Sequence, residues 1–430
     1  MKQIFMAGRV ISMMNIPLRA PTDEAPATLP PPDILGLKFF SRHLSSALAK
    51  LHASTKPNPN RQLFYDQYLC LLLLSFYNPV LNSLRALQAA TQIPTVRKTL
   101  ELPYASMGSL SEASHVFDPG LLHQVFLELA VQTVDLKLPK LPAQLPDALR
   151  LIAADGTLWE TLPRMAKALY QQPLTRKHKG GLKGHFQFDI LKDAPVDVEF
   201  TAGNVGERGV LAGRLRSGVL YLLDRGYYSQ KLFEAILSAG SSLLARLRSD
   251  SVYTLVTLRP LSARAQSAGV YFDAVVKLGQ HPAANAKPLR VIKARVVSPP
   301  PHNLHPQCKR GKHKAYRAAT PLIQEWILVT DRLDLDADLV VLLYQHRWKI
   351  ELFFRWLKCT LKCEHLFCES ENGMKIQFYA GLIAALLVLL YAGCKPNKRI
   401  WEVLQLHFTG WATWTDVEFY IATYGQPAKA

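Results

Sequence analysis

Val219-Leu-Tyr-Leu-Leu-Asp-Arg-Gly-Tyr-Tyr228 is an apolar run that ends in an acid and then a glycine, and Leu149-Arg-Leu-Ile-Ala-Ala-Asp-Gly-Thr157 repeats the pattern. Each reads as a strand buried on both faces, as in a helix-covered sheet, delivering Asp224 or Asp155 at its C-terminal end. Ligand and catalytic groups collect at such ends in α/β sheets. An aspartate there also serves as a turn or cap residue, and the two runs alone leave that plainer use open. Around them, His185–Ile190 and Val196–Thr201 read as strands, Gln230–Ser238 as a helix and Ser242–Leu247 as another strand.

Farther on, Tyr344-Gln-His-Arg-Trp-Lys-Ile-Glu-Leu-Phe-Phe-Arg-Trp-Leu-Lys358 reads as one helix. At ~100° per residue, Tyr344, Arg347, Glu351 and Lys358 share a stripe roughly 60° wide, with Arg355 at its edge. Leu342, Ile350, Phe353 and Leu357 form the opposite, core-facing side. An amphipathic helix with internal ion pairs has the same appearance. Read with the two strands, however, the stripe adds a third carboxylate, and three carboxylates of this kind suit Mg²⁺ or Mn²⁺ rather than zinc. Strand, strand, strand, acid-bearing strand, helix, strand and then acid-bearing helix is the order of a ribonuclease-H-like core.

Asp155, Asp224 and the Y-x2-R-x3-E-x6-K pattern at Tyr344, Arg347, Glu351 and Lys358 resemble the DDE transposases of bacterial insertion sequences, and among them the insertion-sequence-four family. Asp224-Arg-Gly-Tyr-Tyr is similar to that family's second-aspartate motif, and the likeness runs over roughly residues 100–395. The resemblance implies metal-dependent phosphoryl transfer on DNA: cleavage of transposon ends and strand transfer by cut-and-paste. Two divalent ions would activate the nucleophile and neutralise the leaving oxygen. On this reading Asp155 bridges both ions, Asp224 holds one and Glu351 the other. Arg347 and Lys358 pin flanking phosphates, Arg355 assists, and Tyr344 donates to a phosphate oxygen. A structure-specific nuclease would use the same acids with water alone, and a DNA-binding protein with a decayed site would keep only the basic surface.

Composition agrees with a nucleic-acid partner. The 430 residues are 49% hydrophobic and carry a net charge of +18, which favours a polyanion. From Ser251 to Gln324, twelve Lys or Arg (259, 264, 277, 287, 290, 293, 295, 309, 310, 312, 314, 317) stand against one acid, Asp273. This stretch alternates like β at Val252–Leu258, Val270–Val276 and Leu289–Val297, and the resemblance implies a β-rich insertion domain that grips DNA. Arg176 to Lys183 is a second basic segment, readable as a backbone cradle or as a solvated hairpin edge. Six cysteines do not make a secreted disulfide pattern. Cys359, Cys363, His365 and Cys368 crowd together but match no standard zinc spacing.

We therefore expect an α/β protein with these divisions: a flexible lead at 1–32, an all-helical N-terminal domain at 33–145, a ribonuclease-H-like core at 146–249 and 326–395, the basic β-rich insertion at 250–325 and a C-terminal element at 396–430. The helical domain reads equally as a dimerisation bundle; the resemblance makes it a binder of transposon terminal inverted repeats. The apolar run Phe378–Cys394 is short of the ~20 residues of a membrane span, and we expect a buried helix, no membrane and a cytoplasmic location at the bacterial nucleoid. The expected partners are transposon-end and target DNA and a second copy of the chain in the active complex. Neutralising Lys309, Arg310, Lys312 and Lys314 together should weaken duplex binding and lower the slope of log K against log salt by ~0.9 for each phosphate no longer neutralised. A salt titration of the quadruple variant with an unchanged slope would make this cluster a solvated loop.

Overall fold

In the computed structural model, the residues described are 37–55, 61–99, 102–134, 149–160, 181–279, 287–298, 322–361, 366–368, 370–394 and 397–425. The expected flexible lead, the cluster Lys309, Arg310, Lys312 and Lys314, most of the Arg176–Lys183 segment, and Cys363 and His365 lie outside them.

Among the described residues, six helices come first, α1 Leu37–Ser54, α2 Tyr65–Tyr77, α3 Leu84–Gln92, α4 Pro94–Thr99, α5 Met107–Val116 and α6 Pro119–Gln132. Strands β1 Arg150–Glu160, β2 Gly181–Asp189 and β3 Ala194–Ala202 follow. Next come α7 Glu207–Ala212, β4 Val219–Leu223, α8 Gln230–Ser238 and β5 Ser242–Arg246. Then come β6 Tyr253–Leu258, α9 Ala263–Ser267, β7 Val270–Leu278, β8 Leu289–Ser298 and β9 Leu322–Thr330. The last helices are α10 Ala337–Gln345, α11 Trp348–Cys359, α12 Glu371–Ala392, α13 Lys398–Phe408 and α14 Trp414–Tyr424.

The nine strands form one mixed sheet in the order β3-β2-β1-β4-β5-β9-β8-β7-β6. β1, β4 and β5 run parallel, and their neighbours pair antiparallel. The strands read as an insertion, β6 to β8, do not form a sheet of their own; β9 joins them edge-on to β5 and so extends the core sheet.

Both faces of the parallel part of the sheet are covered, as runs apolar on both sides require. On β4, Leu220 and Leu222 face a cluster with α10, α11, α12 and the N-terminal helices, while Val219, Tyr221 and Leu223 face α7 and α8. α12 lies at the centre of the first layer. It is long and apolar enough to cross a membrane by length and composition, and 89% of its apolar window is buried. Phe378 approaches Trp159 of β1 at 4.4 Å and Phe200 of β3 at 5.3 Å between ring centres. On its other side, Tyr77 of α2 donates to the Ala384 carbonyl at 2.9 Å. Each fully buried Leu, Ile, Val or Phe side chain here contributes about 1.5–3 kcal/mol. The N-terminal helices therefore share a core with the sheet. Ser370 caps the start of α12 by accepting from Gly373, and Gly393, at φ 61°, ends it in the left-handed conformation that glycine adopts without strain.

One of the twelve basic residues read as facing DNA is instead inside the protein. Arg290 of β8 is 2% exposed and forks onto Asp273 of β7 at 2.9 and 2.7 Å. Its remaining nitrogen donates to the carbonyls of Arg332 and Leu335, in the segment that leads from β9 into α10. A count of charges does not reveal this, because a buried guanidinium requires a partner and the single acid of the stretch, Asp273, supplies it.

Removing one partner of such a pair leaves a buried unpaired charge, at a cost of about 3–5 kcal/mol. Asp273→Ala should therefore lower the melting temperature by roughly 3–6 °C. The double change Asp273→Leu with Arg290→Met should lower it less. Equal or larger loss in the double variant would mean that the packing, not the charge, holds this junction.

Candidate functional site

In the parallel part of the sheet, Ala154 pairs with Leu223 and Leu223 with Ala245. The next residue on each strand is Asp155, Asp224 and Arg246, so these three form one row across adjacent strands. Side chains alternate faces along a strand. Leu151 and Ala153 share the α11 side with Leu220, Leu222 and Leu244, and the row continues that parity toward the same side. Asp155 is not at the end of its strand as expected: β1 runs five residues further, paired with β2. The acid stands at the point where the parallel pairing stops. Asp224 leaves β4 and caps a short 3-10 turn, accepting from the Gly226 amide at 2.8 Å.

Glu351 comes from α11, above this row. Arg347 links the two layers: its guanidinium donates to Glu351 and lies 3.6 Å from the Asp155 carboxylate. Burial pushes the Asp155 carboxyl up to about 7; Arg347 and the Gly156 amide oppose the rise, and the charges of Asp224 and Glu207 add to it. Among the described residues, no three His, Cys, Asp or Glu side chains stand close enough together to hold a metal ion. The donor set remains one of carboxylate oxygens, which is the chemistry a hard divalent cation takes.

The segment read as one helix is two. Between α10 and α11 the amides of His346, Arg347, Lys349 and Ile350 each bond to the carbonyl three residues back, a tighter turn of ~120° per residue rather than ~100°. Tyr344, on the preceding helix, stays beside Arg347, its ring centre 6.0 Å from the guanidinium. It is 4% exposed, meets Trp326 edge-on at 5.2 Å, and burial pushes its hydroxyl up to about 12. Lys358 donates to the Leu158 carbonyl at 2.8 Å and lies 5.5 Å from the Trp159 ring, tying α11 to β1. Arg355 is exposed.

Two residues of this neighbourhood escaped sequence reading. Arg246 is half-buried, lies 5.6 Å from the Trp326 ring, and has its pKa lowered by burial and by the charges of Arg225 and Arg347. Its signal was present: it follows the apolar run Ser242–Ala245 as Asp224 follows Val219–Leu223. Glu207, at the start of α7, has no such signal, because only the three-dimensional crossing of α7 behind β1 brings it near.

The sequence profile of a family described as Transposase DDE domain matches residues 146–387. A Sinorhizobium fredii protein named as transposase y4zB is 27% identical over 230 residues, covering 52% of this chain and 57% of that one. A Geobacillus stearothermophilus protein named as a transposase for insertion sequence element IS5377 is 24% identical over 225 residues, 52% of each chain. The aligned part thus spans a little over half the length of these relatives. Among solved structures, a piggyBac transposase synaptic complex with hairpin DNA covers 94% of this chain and 87% of that one, at 13% identity and a TM-score of 0.40.

Asp155 supplies a pH test of the site. Its folded carboxyl titrates near 7, against ~3.9 for an unfolded aspartate. Folding therefore favours the protonated acid, and ionised Asp155 costs stability from about pH 4 upward, fully so above about 7. In chelator, Asp155→Asn should melt a few degrees higher than the parent at pH 8 and at the same temperature at pH 4. A lower melting temperature at pH 8 would show that Arg347 more than compensates the buried charge.

Proposed function

The chain belongs to the transposase DDE-domain family, and on that premise we propose that it is a DNA transposase that cuts transposon ends and joins them to target DNA by cut-and-paste. What supports the reading is that Asp155 and Asp224 each follow a paired residue of adjacent parallel strands, and that Arg347 lies between Asp155 and Glu351. The strand order 3-2-1-4-5, with β1, β4 and β5 parallel, supports a ribonuclease-H-like core. We assign residues 146–249 and 326–395 to that core, 250–325 to its basic β-rich extension and 33–145 to binding of the terminal repeats.

Asp155, Asp224 and Glu351 would hold the two divalent ions, Mg²⁺ or Mn²⁺. When bound, such ions activate an oxygen nucleophile and neutralise the leaving oxygen of a phosphodiester. The protein's own part is orientation and charge. Arg347, 13% exposed in its side chain and already between Asp155 and Glu351, is placed to hold a phosphate oxygen beside the reacting one. Arg246, in the row with Asp224, and exposed Arg355 add positive potential along the same face. Lys358 orients α11 through β1 and reaches a phosphate only by exchanging its carbonyl partner. Tyr344 supports Arg347 from below; its ring centre is 6.0 Å from the guanidinium. Lys309, Arg310, Lys312 and Lys314 would contact flanking duplex. We infer two copies in the active complex, since two transposon ends must be cut and joined together, and a cytoplasmic location at the nucleoid.

Asp155→Ala, Asp224→Ala and Glu351→Ala should each reduce end cleavage and strand joining by at least ~10³-fold while leaving DNA affinity within a few-fold, because each removes a metal ligand rather than a group that holds phosphate. Cleavage of labelled ends and joining of pre-cut ends, measured with gel-shift affinity, check this. Near-parental cleavage in any variant removes that residue from the set, and cleavage without joining by the parent protein makes it a nuclease.

A further inference from the structure

We infer that Glu207 and Tyr227 are positioning residues that brace the Asp155 and Asp224 strand ends from the sheet face opposite Glu351. The inference rests on the transposase reading of those acids; it adds Glu207, which lies outside the family signature, and gives a role to Tyr227 of the second-aspartate motif.

Gly156 follows Asp155 and, by alternation, faces the α7 side of the sheet. A Cβ built on it would fall 2.6 Å from a carboxylate oxygen of Glu207 and 2.9 Å from its carboxyl carbon. The Glu207 carboxylate therefore lies directly on the β1 backbone, and a side chain at 156 would push it aside. Tyr227 is 2% exposed and packs in the cluster behind the sheet with Ala154, Leu223 and Leu211. It sits in the 3-10 turn that Asp224 caps, with its hydroxyl toward Glu207. One carboxylate thus touches the residue after Asp155 and faces a side chain rooted in the Asp224 turn. Lys183 of β2 holds it from a third side, 3.5 Å away, and donates to the Val205 carbonyl at 3.3 Å, just before α7.

The consequence is mechanical. β1 and β4 are joined by backbone bonds only as far as Ala154 and Leu223, so nothing in the ladder fixes the separation of the two acids beyond that point. The Tyr227–Glu207–Gly156 contact fixes it from behind. Displacement of ~1 Å at such a site costs on the order of a hundredfold in rate, and loss of a partner that orients a metal ligand typically costs 10–100-fold in metal affinity. Facing Tyr227 and Gly156 requires an acceptor oxygen at this place, which a glutamine at 207 also supplies.

The test is Mn²⁺ binding by the full-length protein, measured by titration calorimetry with thermal melts alongside. Glu207→Ala, Tyr227→Phe and Gly156→Ala should each weaken Mn²⁺ affinity by about 10-fold, and Glu207→Gln should stay within about 2-fold of the parent. Tyr227→Phe removes a single oxygen and reads the contact should Glu207→Ala fail to fold. Parental affinity in Tyr227→Phe, or a loss in Glu207→Gln as large as in Glu207→Ala, would overturn the brace; the latter result would make Glu207 a direct ligand. Asp155→Asn separates this from the underlying reading: unchanged Mn²⁺ binding there would overturn the assignment of the acids themselves.

Discussion

The site depends on the register of three parallel strands. With Ala154 opposite Leu223 and Leu223 opposite Ala245, the following residues are carried into one row on one face. A slip of one residue on any strand would send its member of the row to the other side of the sheet. The apolar runs prevent that slip. Leu151 and Ala153 on β1, and Leu220 and Leu222 on β4, must meet the α10–α12 layer, while Ile152, Ala154, Tyr221 and Leu223 must meet α7 and α8. Hydrophobic burial on two faces thus positions charges that are themselves costly to bury.

The layer above the row is held with comparable care. α12 is packed on all sides, between the aromatic cluster of Trp159, Phe186 and Phe200 and the N-terminal helices. α11 lies on the same aromatic cluster, with Phe353 and Phe354 against Phe186 at 5.8 and 5.3 Å. Lys358 adds a polar tie from the far end of α11 to β1. The result is that Glu351 is carried by a helix whose axial position is fixed at both ends, and a shift in either layer would separate it from Asp155.

Much of this was legible in the sequence. Runs apolar on both faces named β1 and β4, the acids after them named the row, and the Arg347–Glu351 spacing gave the ion pair that is present. Helix Gln230–Ser238 follows from its periodicity. What escaped belongs to longer-range causes. The break between α10 and α11 is one such case: the three-residue hydrogen bonds of His346, Arg347, Lys349 and Ile350 divide the segment into two helices, and nothing in the side chains announces them. Arg290 was counted as surface because burial of a guanidinium is decided by Asp273 on the neighbouring strand and by two carbonyls more than forty residues away. Glu207 was invisible because its neighbours come from β1, β2 and the Asp224 turn rather than from its own stretch. The strands of the basic stretch were readable, but their edge-on union with the core through β9 is a matter of pairing partners, which periodicity does not reveal.

That union, together with Arg290, has a consequence for motion. The guanidinium grips the carbonyls of Arg332 and Leu335, one at each end of the link between β9 and α10. The strands at the basic end of the sheet and the helices that carry Arg347 and Glu351 are therefore fastened to a common pivot. A displacement of β8 therefore has to break or carry along the start of α10 as well as the neighbouring strands.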